Sequence, residues 1–394
     1  MNIPRFPQAA ASCTPPPSRT RIAAAAVMLT LGLSACGGSD SPTSSPAPSP
    51  APTPVPAPSP PPPVPAPTGT PVANDACEAF PSVAGADVNG SLAGSASSPA
   101  GRALNFSLVS QPQSGTVTLT SAGVFNYMRS DPGRGNLDSF VYRVTDSEGL
   151  RAEATAQVIY GRRRIMPLGD SITDGVETYK PATGDLPAAP MRVGYRKALQ
   201  KRLDAAGYAV DFVGSQSSGS GAGLADAQHE GYPGAKQAAL VTDINSWLGL
   251  NAPDVVLLHI GTNDVTGGDT NVAPTSELLS RIDTWSANTA NPPVRLLLAT
   301  IIGQKSGTPD VAAFNANLTS LYNSTWADAA GERPRFVVRR VDMNSKLDPA
   351  TDLSDLAEDS VGLHPNPSGY AKMADAWFES LVQTGAVFKC PSGS

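Results

Sequence analysis

The chain has 394 residues, enough for two domains or one large one. Charged residues make up 16% and the formal net charge is −6, a mildly acidic balance that argues against nucleic acid as a partner. The one dense basic cluster, Arg162-Arg163-Arg164, precedes an apolar run and is expected to be the solvated start of a strand rather than a binding patch.

Arg5, Arg19 and Arg21 precede an apolar run from Ile22 to Leu33. That run is too short to span a bilayer and has the form of the h-region of a signal peptide. It ends in Leu33-Ser34-Ala35-Cys36, followed by Gly37-Gly38-Ser39-Asp40, and this stretch resembles a bacterial lipobox. The resemblance implies a signal over residues 1–35, lipidation of the Cys36 thiol and acylation of the new amino group. Several acyl chains on one residue anchor stably where one chain does not. The expected location is the bacterial cell envelope. In enteric-type bacteria the residues after Cys36 imply the outer membrane, with its periplasmic and surface faces both open. An ordinary secretory signal with an incidental cysteine is the alternative. Residues 36–72 follow, almost wholly Pro, Ala, Ser, Thr and Val from Ser41 onward. Such a composition cannot bury a core, and it predicts an extended tether reaching on the order of 90 Å.

From about 73 to 160 the rhythm changes. Val117 and Leu119 alternate with threonines, Ser121-Ala122-Gly123 turns, and Val124-Phe125-Asn126-Tyr127 returns. Phe140, Tyr142 and Val144 alternate again, as do Ala154, Ala156 and Val158. Period two with short turns predicts an antiparallel β-sandwich. Gly115-Thr116-Val117, Phe125-Asn126-Tyr127 and Asp138-Ser139-Phe140-Val141-Tyr142-Arg143-Val144-Thr145-Asp146 resemble the immunoglobulin- or cadherin-like domains of bacterial surface proteins. Such domains act as spacers or bind glycans. The family admits calcium, but no acidic loop with ligand spacing is evident. Of four cysteines, Cys13 leaves with the signal and Cys36 would carry lipid. Cys77 and Cys390 remain, and outside the cytoplasm a disulfide between them would clasp the two folded domains together.

Residues 161–394 alternate strand and helix patterns. Strands are expected at 164–168, 210–213, 254–260, 294–302 and 336–341, and helices at 195–206, 235–248, 276–287, 311–327 and 368–384. Continuous apolar strands between amphipathic helices predict an α/β domain, a doubly wound parallel sheet covered on both faces.

The first of these strands ends in Gly169-Asp170-Ser171. Ligands in open α/β sheets sit at the C-terminal ends of strands, so Ser171 is placed for chemistry. A serine hydroxyl needs a base and donors for an oxyanion. The third strand ends in Gly261-Thr262-Asn263-Asp264, where the Asn263 amide can face an anion or cap a turn. Gly234, in the loop His229-Glu230-Gly231-Tyr232-Pro233-Gly234, is read as a helix start with a free backbone N–H, or as a plain turn glycine. Of three histidines, His259 lies within an apolar strand and is expected in the core, while His229 is either structural or substrate-facing. His364, in the last loop before the final helix, is expected to be the base.

Together these four stretches resemble the SGNH (GDSL-type) hydrolase superfamily. The resemblance implies a three-layer α/β/α fold and an esterase without metal or organic cofactor. Ser171 would be the nucleophile, His364 the base, and Ser171, Gly234 and Asn263 the oxyanion donors. The Gly-x-Ser-x-Gly elbow of α/β-hydrolases is absent from the catalytic strand tip. Ile165–Thr173, Gly194-Tyr195-Arg196, the His229–Gly234 stretch, His364-Pro365-Asn366, Gly369-Tyr370 and Met373-Ala374 look like carbohydrate esterase family three. That likeness implies O-acetyl groups on a polysaccharide as substrate, notably acetylated xylan. One departure stands out. The family places an aspartate three residues before the histidine, where this chain has Val361. Asp359 is the expected third member, with Asp355 and Asp352 further upstream, and a Ser–His dyad is the alternative. Competing readings are a lipase, lysophospholipase or arylesterase of the same superfamily, and a glycan-binding surface protein with a degenerate hydrolase domain.

Overall fold

The computed structural model describes residues 69–80, 87–130, 136–177, 186–305, 309–327, 333–355 and 362–391. The expected signal, Cys36 and nearly all of the tether lie outside them, as do Val361 and Asp359.

The first folded part is a β-sandwich. Its strands are β1 (Val72–Ala73), β2 (Ala76–Phe80), β3 (Asp87–Ser91), β4 (Ala96–Ser97), β5 (Leu104–Ser110), β6 (Gly115–Leu119), β7 (Val124–Arg129), β8 (Asn136–Asp146) and β9 (Arg151–Tyr160). A four-stranded sheet, β2-β9-β8-β5, faces a three-stranded one, β3-β7-β6. Alternation decides which side chains face inward: Phe125 and Tyr127 from one sheet meet Phe140, Tyr142 and Val144 from the other. Phe125 and Phe140 pack edge to face at 5.3 Å between ring centres. The expectation of wholly antiparallel pairing needs one correction. β2 runs parallel to β9, with Ala76 beside Ala156 and Phe80 beside Tyr160. The whole sandwich lies between these two strands in sequence, so it supplies the long connection that parallel pairing requires.

The second part is built on β10 (Arg163–Gly169), β11 (Val210–Phe212), β12 (Gln216–Ser217), β13 (Gln228–Gly231), β14 (Val255–His259), β15 (Val294–Ala299) and β16 (Phe336–Val341). The sheet order is β12-β13-β10-β14-β15-β16, with β11 also on β10. Its helices are α1 (Ser171–Asp174), α2 (Gly194–Ala205), α3 (Gln237–Asn251), α4 (Thr262–Thr266), α5 (Ala273–Ala287), α6 (Pro309–Leu321), α7 (Pro349–Asp352) and α8 (Pro367–Gln383). Successive residues of β14 feed opposite cores. Val255 and Leu257 pack with Tyr195, Leu199, Met373 and Trp377 of α2 and α8. Val256 and Leu258 pack with Leu240, Ile244, Leu279 and Phe314 of α3, α5 and α6. That is the α/β/α sandwich, and each fully buried large apolar side chain contributes roughly 1.5–3 kcal/mol.

Three local expectations change. Helix formation from 311 to 327 gives way at Tyr322 to a π-helical turn ending at Trp326. Gln228–Gly231 is a strand, not a loop: β13 pairs parallel with β10 and antiparallel with β12. Its buried side chains, His229 and Glu230, are polar, so no apolar run marks it. The fully buried Glu230 accepts from the Ser215 amide at 2.7 Å, the Ser215 hydroxyl at 2.8 Å, Tyr232 at 2.7 Å and Asn251 at 2.8 Å. Arg163 is not solvated either, since its side chain is only 15% exposed and stacks over Phe388.

Candidate active site

The loops that carry Ser171, Gly234 and Asn263 leave the same edge of the sheet. β10 delivers Ser171, β13 leads to Gly234, and β14 leads to Asn263; in register, Gly169 lies between Gly231 and His259. Gly169 cannot be replaced there, because a Cβ would come within 2.2 Å of the His259 carbonyl oxygen. The close approach lets β10 stop abruptly. Asp170 then caps α1, its carboxylate accepting from Ile172 N at 2.9 Å. Ser171 is the first residue of that turn and is buried, 5% exposed.

His364 arrives from the other end of the chain. Its carbonyl accepts from Ser354 N at 2.9 Å, and Pro365 bridges to Leu353. Asn366 caps α8, accepting from Gly369 N at 3.1 Å. Tyr370, one turn into α8, donates to the Val176 carbonyl at 2.5 Å and so ties that helix to the turn after Ser171. The result is a 2.9 Å contact between His364 Nε2 and Ser171 Oγ, across 193 residues of sequence. The distance is that of a nucleophile and its general base.

Asn263 lies on α4, one residue into the helix, rather than at a bare strand tip. Its Nδ2 donates to the Ala235 carbonyl at 2.9 Å. A side-chain amide has two N–H groups, so this bond orients the amide and leaves the second donor. Gly234 does not start a helix: α3 begins at Gln237, with Lys236 as its cap. Gly234 instead sits exposed at φ +78° in a turn closed by Ala235 N on the Tyr232 carbonyl at 3.0 Å. The turn and the Asn263 loop are joined twice, because Gln237 N also donates to the Asp264 carboxylate at 3.1 Å.

The aspartates upstream of His364 are engaged elsewhere. Asp352 is buried, and its carboxylate accepts from Lys372 at 2.6 Å, Asp348 N at 2.8 Å and Ser368 at 3.2 Å. Asp355 is 83% exposed and pairs with Lys305 at 3.0 Å. Asp359 falls outside the described residues.

Sequence reasoning passed over Asp170 as a titrating group. Burial, opposed by the Ile172 N–H and by the positive charge available at His364, pushes its carboxyl up to about 6. Its Oδ2 and the nearby buried Thr262 hydroxyl close no hydrogen bond of proper geometry.

His229 turns out to be structural. Its Nδ1 accepts from Gly231 N at 2.9 Å, so the neutral ring carries its proton on Nε2, 2.8 Å from the Ser218 hydroxyl. Burial first, then Arg196 and Arg192, drive it down to about 2. Arg196 is fully buried and donates to the carbonyls of Thr173, Asp174, Arg192, Ser218 and Ala227. It braces the C-terminal end of α1 from behind. His259 is fully buried in the core, with neither ring nitrogen bonded, and burial holds it down to about 4.

Cys77 and Cys390 are disulfide-bonded, with 5.4 Å between Cα atoms, joining β2 to the segment after α8. Among the described residues no group of three or more His, Cys, Asp or Glu side chains is placed to hold a metal ion.

Residues 168–372, more than half of the chain, match the GDSL-like lipase/acylhydrolase family, and residues 68–159 match the bacterial Ig domain. A multidomain esterase of Ruminococcus flavefaciens is 29% identical over 251 residues, which are 56% of this chain and 28% of that protein. This chain therefore spans well under a third of that relative. Among solved structures, a family 3 carbohydrate esterase of Clostridium thermocellum is 30% identical, with a TM-score of 0.45 over 57% of this chain and 96% of that one. A family 3 carbohydrate esterase from Talaromyces cellulolyticus is 23% identical, with a TM-score of 0.42 over 56% and 97%.

Proposed function

Because this chain belongs to the GDSL-like lipase/acylhydrolase family, we propose that it is a serine esterase that removes O-acetyl groups from a polysaccharide such as acetylated xylan. The observation that carries the reading is the 2.9 Å contact between Ser171 Oγ and His364 Nε2 at the C-terminal edge of the sheet. Ser171 attacks the ester carbonyl as His364 takes its proton. The tetrahedral oxyanion is met by the backbone N–H groups of Ser171 and Gly234 and by the second N–H of Asn263. Each such donor is worth on the order of 3 kcal/mol in the transition state. His364 then gives that proton to the departing sugar oxygen as its bond to the acyl carbon breaks, releasing a free hydroxyl, and the acetyl group stays on Ser171. A water deprotonated by His364 attacks that acyl-enzyme, acetate departs, and the proton returns to Ser171. Asp359 is proposed as the carboxylate that orients His364 and balances the imidazolium.

The choice of a carbohydrate acetyl ester is supported by the sequence blocks around Tyr195-Arg196 and His229–Gly234, and by the likeness to a multidomain esterase. The test is acetate release from acetylated xylan by the chain carrying Cys36→Ser, beside the same chain with Ser171→Ala. Release by the first alone supports the proposal. Hydrolysis of nitrophenyl acetate without release from xylan keeps the chemistry and rejects the substrate. Inactivity on both, with no trapping by a fluorophosphonate, rejects the esterase.

The same reading includes anchoring in the bacterial envelope by lipid on Cys36, supported by the apolar run and the Leu33-Ser34-Ala35-Cys36 sequence. Labelling of cells with a clickable palmitate should mark the parent and not Cys36→Ser.

A further inference from the structure

The arginine cluster at 162–164 plays no part in ester hydrolysis, and it leads to the opposite edge of the sheet. The N-terminal ends of β10, β15 and β16 present Arg163, Arg295 and Arg335. With Leu137 of the sandwich, Pro334 and Phe388, these arginines line a cavity of about 390 Å³ in the seam between the two folded parts. Among the described residues no acidic side chain lines it.

The guanidinium groups are fixed mainly by neutral partners. Arg163 Nε donates to the Ala386 carbonyl at 3.1 Å, Arg295 to the Thr384 carbonyl, and Arg335 to the carbonyls of Ser286, at 2.8 Å, and Asn291. Carbonyls hold the forks in place without cancelling their charge. The nearby carboxylate is Asp254, 3.5 Å from Arg163, and its other oxygen accepts from Arg164 N. Arg295 feels the crowding: burial, then repulsion from Arg163 and Arg339, lowers its affinity for its own proton. Like charges gathered in a half-buried cavity cost free energy unless an anion is there to meet them.

A guanidinium fork fits a planar carboxylate or a phosphate. The remaining walls choose between these. Leu137, Pro334 and Phe388 are apolar, which a bare phosphate cannot use and the C–H face of a sugar ring can. The volume lies at the lower end of the range for small-ligand sites. We propose that this seam is a binding site for a uronate, the carboxylated sugar of an acidic saccharide, separate from the catalytic edge.

The test is calorimetric titration of glucuronate into the chain carrying Cys36→Ser and Ser171→Ala, with glucose and inorganic phosphate in parallel. Glucuronate should bind at one site, weaken as salt is added, and outcompete phosphate; glucose should not bind. Leu137→Glu places a carboxylate at the mouth of the cavity on a side chain already 37% exposed, and Arg295→Gln removes a charge. Each should weaken glucuronate by about tenfold or more. In the active chain, Leu137→Glu should leave nitrophenyl acetate hydrolysis unchanged. Equal binding of glucose, binding of phosphate alone, no binding, or glucuronate affinity indifferent to both substitutions would each overturn the proposal. Because the titrated chain lacks its nucleophile, none of these outcomes depends on the esterase reading.

Discussion

The side-chain amide of Asn263 is held by the carbonyl of Ala235 at 2.9 Å, the residue immediately after Gly234. One bond therefore sets the position of two proposed oxyanion donors that lie 29 residues apart in sequence. Asn263→Ala should lower kcat by roughly 100- to 1000-fold with little change in KM, since the donor acts on charge present only in the transition state. Asn263→Asp should lose at least as much, because it puts an acceptor where a donor is needed. Steady-state kinetics on nitrophenyl acetate measure both. A raised KM with kcat preserved would mean that Asn263 only braces the Gly234 turn.

The third member of the catalytic set can be found by three parallel substitutions. Asp359→Asn should reduce kcat by roughly three to four orders of magnitude. Asp355→Asn, at an exposed surface pair, should change neither rate nor melting temperature measurably. Asp352→Asn should lower the melting temperature, because Lys372, Ser368 and Asp348 N lose a charged acceptor, while kcat stays within a few-fold of the parent. A full-rate Asp359→Asn enzyme would leave a Ser–His dyad.

Acid should destabilise the fold through its buried histidines. His229 is held down to about 2 and His259 down to about 4, whereas an unfolded histidine titrates near 6.5. Their contribution is complete above about pH 6.5 and is lost as pH falls toward 4, because the unfolded chain binds protons that the native one refuses. Asp170 acts in the opposite sense. With its carboxyl raised to about 6, it favours the native state below about pH 4, and that benefit is lost as pH rises through 6. Burial raises Glu177, Asp226 and Asp264 as well, but among the described carboxyls Asp170 is the one pushed as far as about 6, so between pH 7 and pH 5 the two histidines should prevail and denaturant midpoints should fall. His259→Leu should flatten that slope by up to about 1.4 kcal/mol per pH unit. An unchanged slope would assign the acid sensitivity to other groups.

The disulfide between Cys77 and Cys390 closes a separation of 313 residues. Its removal by paired Cys77→Ser and Cys390→Ser should cost about 2–4 kcal/mol, seen as a lower melting temperature. It lies beyond the end of α8 remote from His364, so the esterase rate at 25 °C should be unaffected. Calorimetry and kinetics on the same preparation separate the two effects.

Where the core is apolar, the chain alone was informative. The alternation of Phe140, Tyr142 and Val144 announces a sandwich, and the unbroken Val255–Leu258 run announces a strand buried on both faces. Periodicity failed where polar groups do the packing. β13 is a strand because Glu230 and His229 find partners in Ser215 and Ser218, which flank β12, in Asn251 of α3 and in Asp174 after Ser171, and such partners cannot be read from local sequence. The boundary of α3 was missed for a similar reason, since a left-handed Gly234 closes a turn rather than opening a helix.

By itself the sequence determined the chemistry on offer: a serine after a strand, an amide and a glycine from two further strand ends, and a histidine in the last loop before the final helix. Only the tertiary structure decided which of these groups meet. Ser171 and His364 touch because a parallel sheet gathers its C-terminal ends and α8 is pinned to the turn after Ser171 through Tyr370. The same folding carried Arg163, Arg295 and Arg335 to one cavity at the other edge, where spacing along the chain gave no hint of their meeting. Local pattern follows from each residue's neighbours in sequence, whereas a site depends on contacts that only chain closure over long separations can make.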